Sequence, residues 1–330
     1  MAASTQPTRP RRPDAAPMTH LLGIAEIEPG AIEAILDDAL AAKARFVKGR
    51  PAHAQPLAGK SVTMLFEKPS LRTRMSFEIG LTRLGAQVVY LDHSAQRLGE
   101  RESLKDYAKN LERWTDAIVA RVHAHGVLEE LARHASIPVV NALSDAEHPC
   151  QALADLLTIR ERFGSFEGVR VAYLGDGNNV CHSLMLACAK VGVSFTAIAV
   201  PGHEPASRFV ELARNAAAAS GATVTIAHDP GAVAGHSVVY TDTWVSMGEG
   251  GDADAKRRAL ASLQVSDAVM ARAAEGSAHP PIFMHCLPAH RGEEVADSVI
   301  DSEASAVYDQ AENRMHAQNA LMTRLLASPN

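Results

Sequence analysis

Short apolar runs rich in β-branched residues recur along the chain, each followed by a stretch with helical spacing. The first set is SVTMLF (61–66), AQVVYLD (86–92), AIVARV (117–122) and IPVVNAL (137–143). The second is VRVAYLGD (169–176), VSFTAIAV (193–200), ATVTIAHD (222–229), SVVYTDTW (237–244) and PIFMHCLP (281–288). The runs are apolar almost throughout instead of alternating, the mark of parallel strands covered on both faces. Segments such as SFEIGLTRLG, ESLKDYAKNLERW and QALADLLTIRERFG lie between them. Alternation of this kind predicts an α/β fold with open parallel sheets flanked by helices.

Two groups of strands predict two α/β domains, joined by a helix at 150–163 that ends in FGSFEG. The expected division is a tail at 1–17, a first domain at 18–149 and a second at 150–311. The last segment, ENRMHAQNALMTRLL, places Leu321, Met322 and Leu325 at helical spacing, so 312–327 is expected to close the first domain as a helix.

A length of 330 residues agrees with two domains. The 47% hydrophobic content suffices for a substantial core, and no apolar run approaches the ~18 residues of a membrane span. A formal net charge of −6 argues against a nucleic-acid groove. Residues 1–17 are rich in Pro, Arg and small residues without an apolar stretch behind them, so they read as a disordered tail and not a secretory signal. Cys150, Cys181, Cys188 and Cys286 form no Cys-x-x-Cys pair, which points to reducing cytosol and not to a zinc ribbon or disulfide scaffold. Cys181 and Cys188 are seven apart and are expected on one buried helix face.

Each unusual motif lies just after a strand, where open parallel sheets bind ligands. PSLRTR (69–74) ends one run and opens a helix. A helix's first turn carries unpaired N–H groups and partial positive charge, so it suits an anion. Ser70 can cap, Thr73 adds a hydroxyl and Arg72 can give a two-pronged donor pair to a phosphate. Arg74 points to the other side of a regular helix and is expected to pair structurally. On spacing alone, a capped helix with solvated arginines stays open. HPCQ (148–151) sets His148 before a helix-starting proline, which biases it to extended geometry. His148 and the amide of Gln151 can hold a carbonyl oxygen and an amide nitrogen, or His148 can be purely structural. YLGDGNNV (173–180) invites a dinucleotide reading, but Val180 stands at the third glycine of that fingerprint.

FEKPSLRTRMSFEIG resembles the carbamoyl-phosphate loop of the aspartate and ornithine carbamoyltransferases, with Leu71 where Thr is usual. HPCQ is similar to that family's second signature. Arg121 resembles its further arginine, and Arg314 in ENRMHAQ a late arginine near the carbamoyl group. TDTWVSMGEGG and MHCLPAHRGEEV resemble the ornithine enzymes. The aspartate enzymes have a proline in place of this cysteine and lack the Ser-Met-Gly loop.

The resemblance implies carbamoyl transfer from carbamoyl phosphate to the side-chain amine of ornithine, giving citrulline and phosphate in arginine metabolism, without cofactor or metal. It implies that Ser70, Leu71, Arg72, Thr73, Arg97, Arg121, His148, Gln151, Cys286, Leu287 and Arg314 meet carbamoyl phosphate. Asn179, Asp242, Ser246 and Met247 are expected to meet ornithine, and Arg121, His148 and Cys286 to assist catalysis. The resemblance implies that Cys286 orients the amine; from the residues alone it can also be a small buried side chain or, without an evident Cys-His-Asn arrangement, a covalent nucleophile, and His285 is expected on the opposite strand face. Gly248, Gly250 and Gly251 make the loop either a pliable lid or a plain surface loop. His123 and His125 are expected in a loop without a role. In the loop HSAQRLGERES, Arg97, with Gln96 before it, stands where the family reaches into a neighbour's site. That implies an oligomer, a homotrimer or multiple of trimers, with sites near subunit interfaces, small-molecule substrates, and neither nucleic acid nor membrane as partner. The competing readings are a transferase acting on putrescine or an acylated ornithine, an NAD-dependent oxidoreductase, and a non-catalytic paralogue that binds or scaffolds.

Overall fold

In the computed structural model, residues 18–46, 55–245 and 251–327 are described. The first lobe contains α1 (Pro29–Lys43), β1 (Ser61–Phe66), α2 (Leu71–Arg83), β2 (Gln87–Asp92), α3 (Leu104–Leu111), β3 (Ala117–Arg121), α4 (His125–His134) and β4 (Val139–Leu143). Helix α5 (Pro149–Phe163) leads to β5 (Arg170–Leu174), α6 (Asn179–Lys190), β6 (Ser194–Ile198), α7 (Ser207–Ser220), β7 (Val224–Ala227) and β8 (Val238–Thr241). Then come α8 (Ala253–Leu260), α9 (Asp267–Ala274), β9 (Ile282–His285), α10 (Asp297–Ile300) and α11 (Val307–Leu326).

All nine predicted strands form among the described residues, in two wholly parallel sheets of order β2-β1-β3-β4 and β7-β6-β5-β8-β9. Burial on both faces holds for central strands such as β3, whose five residues are all buried. It fails at two of the four edge strands: β2 and β7 are partly exposed, whereas the edge strands β4 and β9 stay largely buried. Chain order reverses between β1 and β3 in the first sheet and between β5 and β8 in the second. These are the points where a crevice opens at the carboxyl ends of the strands. The register places Phe66 beside Arg121 at one and Leu174 beside Thr241 at the other.

Helix α5 is buried without a break from Pro149 to Ile159, as befits a helix packed on every side. Gly164 ends it in the left-handed region at φ 77°. Helix α11 packs against α5, α2 and α1, so the C-terminal helix lies along the first lobe. One apolar core cluster runs through both sheets and contains Cys150, Cys181 and Cys188, all unpaired thiols. His125 is not in a loop but opens α4, because Asp145 accepts its N–H at 2.8 Å and stands in for a local cap.

Candidate active site

The strand ends converge on a cleft of about 620 Å³. Its wall includes Ser70, Leu71, Arg72, Thr73, Arg121, His148, Gln151, Asn179, Asp242, Cys286, Leu287 and Arg314, residues scattered over more than two hundred positions of the sequence. Lys68, Thr243, Val245, Pro288 and His290 also line it. Ser246 and Met247 lie outside the described residues.

At one end, Ser70 caps α2 by accepting the Thr73 N–H at 3.3 Å. Arg72 is half-buried beside it, and Arg121 is buried at the end of β3. Neither guanidinium makes an ion pair with a carboxylate among the described residues. Burial and the neighbouring Arg314 and Arg72 push Arg121 down to about 10, so it stays charged at neutral pH. Burial lowers Arg72 too. Arg74 instead pairs with Glu78 at 3.0 Å and covers the Tyr90 ring at 3.8 Å, the structural role its position predicts.

Arg314 is more constrained, donating to Gln151 Oε1 at 2.6 Å and to Thr73 Oγ1 at 3.2 Å. Gln151 Nε2 donates to Asp155 Oδ1 at 2.8 Å. Both ends of the Gln151 amide thus have internal partners, and a ligand can use only its remaining donor and lone pair. Asp155 also accepts from Gln310 at 2.7 Å and Tyr240 at 3.2 Å. Burial nevertheless raises its carboxyl to about 7, against the lowering effect of those donors. His148 is driven well below its usual range by burial and by Arg314 and Arg121, so the ring is neutral. Its Nδ1 is buried and has no protein partner among the described residues.

The other end is hydrogen-bonded from within. Asp242 accepts from the Cys286 thiol at 2.9 Å, the Thr243 N–H at 2.8 Å and Asn178 Nδ2 at 2.8 Å. Burial and then Asp242 raise the Cys286 thiol well above its usual range, so it stays protonated and is no thiolate nucleophile. Strand β9 stops at His285, leaving Cys286 and Leu287 in the turn. His285 is fully buried and donates from Nε2 to Glu294 at 3.2 Å. Its Nδ1 accepts the Leu287 N–H at 2.9 Å, which fixes the tautomer and holds Leu287 at φ 59° before a cis peptide to Pro288.

Asn179 lines the cleft, but its Nδ2 donates to Ser144 O at 2.6 Å. The preceding Asn178, not singled out by its motif, caps α6 and holds Asp242. Gly177 is required for close packing, because a Cβ there would collide with the backbone of Pro205. Asp176 is bound by Lys256 at 2.9 Å and His203 at 3.1 Å. Lys68 was legible as part of FEKPS; burial, then Arg121, lowers its ammonium. Arg97 is exposed and does not line its own chain's cleft. Asp242, His285 and Cys286 bring metal-capable atoms within 4.8 Å of one another, but each is already engaged in the hydrogen bonds given above.

Residues 19–161 match the family described as aspartate/ornithine carbamoyltransferase, carbamoyl-P binding domain. Residues 167–325 match its Asp/Orn binding domain. The ornithine carbamoyltransferase of Shewanella oneidensis is 47% identical over 94% of this chain and 100% of its own length. That of Pyrococcus horikoshii is 46% identical over 93% of this chain and 95% of its own. The solved ornithine carbamoyltransferase of Pyrococcus furiosus superposes with a TM-score of 0.88 at 43% identity, covering 94% of this chain and 98% of that one.

Proposed function

The chain belongs to the aspartate/ornithine carbamoyltransferase family, and from that premise we propose a residue-level account of how it carbamoylates ornithine. The reaction moves the carbamoyl group of carbamoyl phosphate to the side-chain amine of L-ornithine and yields L-citrulline and phosphate. The observation that carries the account is the pair of guanidinium groups at the first lobe's switch point, charged and without carboxylate partners among the described residues, lining one cleft with Asp242 and Cys286.

Phosphate docks at the opening turn of α2, held by Ser70, the Leu71 backbone, Arg72 and Thr73. Arg121, Arg314 and the neutral His148 face the carbamoyl carbonyl. As the amine attacks, charge gathers on that oxygen, and donors fixed in advance stabilise it without reorganising. Gln151 and the Cys286–Leu287 turn close the carbamoyl end. An amine like that of lysine has a pKa near 10.4, so only about one molecule in a thousand is uncharged at pH 7.4. The site must favour that scarce form. Asp242 is already engaged by three neutral donors, and the Cys286 thiol it holds is neutral, so the thiol can orient the uncharged amine while Asp242 meets the amino acid beside it. Asn179, Ser246 and Met247 complete the amino-acid side. The carbon–nitrogen bond forms, the bond to the phosphate oxygen breaks, and phosphate accepts the amine's proton as it departs.

The lobes divide as 18–149 with the helical segment 312–327, and 150–311. The enzyme acts in arginine metabolism in the cytoplasm; among the described residues no helix is long and apolar enough to cross a membrane. It assembles as a homotrimer or a multiple of trimers. In support, Leu71, Met75 and Ile79 form an exposed apolar row on α2 beside Arg72, 72%, 46% and 39% accessible, which a second copy would cover. Citrulline formation from carbamoyl phosphate and ornithine tests the activity, with putrescine as the competing acceptor. Turnover of putrescine in preference to ornithine would overturn the substrate assignment, and light scattering checks the assembly.

A further inference from the structure

The loop 144–148, which presents His148, is gripped from the other lobe by one helix face. Asn179, His182 and Ser183 stand at spacings of three and four, so their side chains share a face of α6. Asn179 Nδ2 donates to Ser144 O at 2.6 Å, and His182 Nδ1 to Ala146 O at 2.9 Å. The tautomer follows from His182 Nε2, which accepts the Ala206 N–H at 3.0 Å. Ser183 Oγ accepts the N–H of His148 itself at 2.8 Å and donates to Glu147 Oε2 at 2.9 Å. The same carboxylate oxygen accepts the Ile24 N–H at 2.8 Å. Ser183 is fully buried, and Glu147 and His182 are buried as well.

We propose that this face of α6 is a positioning clamp for the carbamoyl site, with Ser183 as its central positioning residue. The clamp sets where the His148 ring stands, because a serine hydroxyl between His148 N–H and Glu147 fixes the backbone from which the ring projects. The next residue upstream, Asn178, holds Asp242 from the same helix start. One rigid element thus sets both the acceptor of the amine side and the donor of the carbonyl side. Their mutual alignment depends on α6 and not on the two lobes' separate loops. A misplacement on the order of 1 Å costs about a hundredfold in rate when reacting groups must meet in a near-attack geometry. Sidedness follows too: Ser183 is buried and does not line the cleft, so its loss should act on the rate of the bound complex more than on ornithine binding.

The inference rests on the carbamoyl-transfer reading, and the test separates the two. Parent protein that makes no citrulline overturns both. With an active parent, Ser183→Ala is expected to lower kcat about 10- to 100-fold, with the ornithine KM changed less than threefold and the protein still folded at the assay temperature. Ser183→Thr, which keeps the hydroxyl, should recover most of the loss. Glu147→Gln retains one acceptor oxygen and should fall between the two; it carries the test if Ser183→Ala does not fold. A folded Ser183→Ala or Glu147→Gln protein with parental kcat overturns the clamp alone. So does a loss that Ser183→Thr fails to relieve.

Discussion

The two ends of the cleft are built on opposite plans. The end near α2 holds cations without carboxylate partners among the described residues, Arg72 and Arg121, whereas the end near β8 and β9 holds an acid that already accepts three hydrogen bonds from the protein. Unpaired charge in a buried or half-buried place is costly to keep, and an anionic ligand would supply the partner that Arg72 and Arg121 lack among the described residues. Asp242 needs no such ligand, since Cys286, Thr243 and Asn178 satisfy it within the fold. One end is poised for a charged group, and the other tuned to tolerate an uncharged one.

Arg72→Met breaks the comparison where it is sharpest. Two charge-assisted bonds to phosphate at about 1.5–3 kcal/mol each amount to at least a hundredfold and up to about ten-thousandfold in kcat/KM. Because Arg72 has no ion pair among the described residues, the melting temperature should stay near the parent's. Arg314→Met should differ, losing both activity and stability, since its contacts to Gln151 and Thr73 are internal. Initial rates of citrulline formation and calorimetry check both. An Arg72→Met enzyme as fast as the parent would remove the phosphate from this end.

Asp242→Asn tests the other end with a smaller expected loss. The amide keeps the shape but cannot accept from Cys286, Thr243 and Asn178 together. The ornithine KM should rise about 10- to 100-fold, the value of one buried charged contact, while the KM for carbamoyl phosphate moves little. Equal changes in both would mean that Asp242 supports the whole cleft and not the amino-acid side.

The two ends also differ in how much of them the sequence discloses. Strand positions were readable because parallel strands covered on both faces are apolar runs, and part of the cationic end of the cleft was readable because Ser70, Arg72 and Thr73 lie together in PSLRTR. The amine end depends on partners distant in sequence. That Asn178 holds Asp242 follows from the adjacency of β5 and β8, which no local pattern reveals. Gln151 shows the converse limit. Its motif suggested a free amide, but Asp155, four residues on and buried, takes one side and Arg314 the other. HPCQ alone does not show that α11 returns to lie across α5.

Asp155, beneath the cationic end, gives a stability effect of smaller size. Its carboxyl is raised to about 7 from 3.8, with burial the main cause. Below pH 3.8 both folded and unfolded states hold the proton. As pH rises toward 7 the unfolded chain releases it first, so this stabilising contribution is lost across that window. Asp155→Asn has no proton to lose. Its stability relative to the parent should therefore climb between pH 4 and 7 by on the order of 1–2 kcal/mol, less than the full shift because buried groups relax. Denaturant titrations at pH 4, 5.5 and 7 measure it, and a flat difference would mean that the hydrogen bonds hold Asp155 ionised throughout.

The smallest effect belongs to Arg97, exposed and outside its own chain's cleft. Its loop is not loosely held: Glu67 accepts the Leu98 N–H at 2.9 Å and, with its other oxygen, the His123 N–H at 2.7 Å. A side chain carried on so firm a base, exposed and outside the lining of its own chain's cleft, is suited to serve another subunit's. Arg97→Ala should lower kcat/KM for carbamoyl phosphate by about two- to fivefold, the size of an exposed charge contact, and the deficit should shrink in high salt. Subunit mixing decides whose site it serves. Arg72→Met disables its own site but still carries Arg97. In mixed assemblies, an Arg97→Ala subunit beside an Arg72→Met neighbour regains the missing guanidinium. The mixture should then exceed the mean of the two proteins assayed apart, whereas activity equal to that mean would assign Arg97 to its own chain.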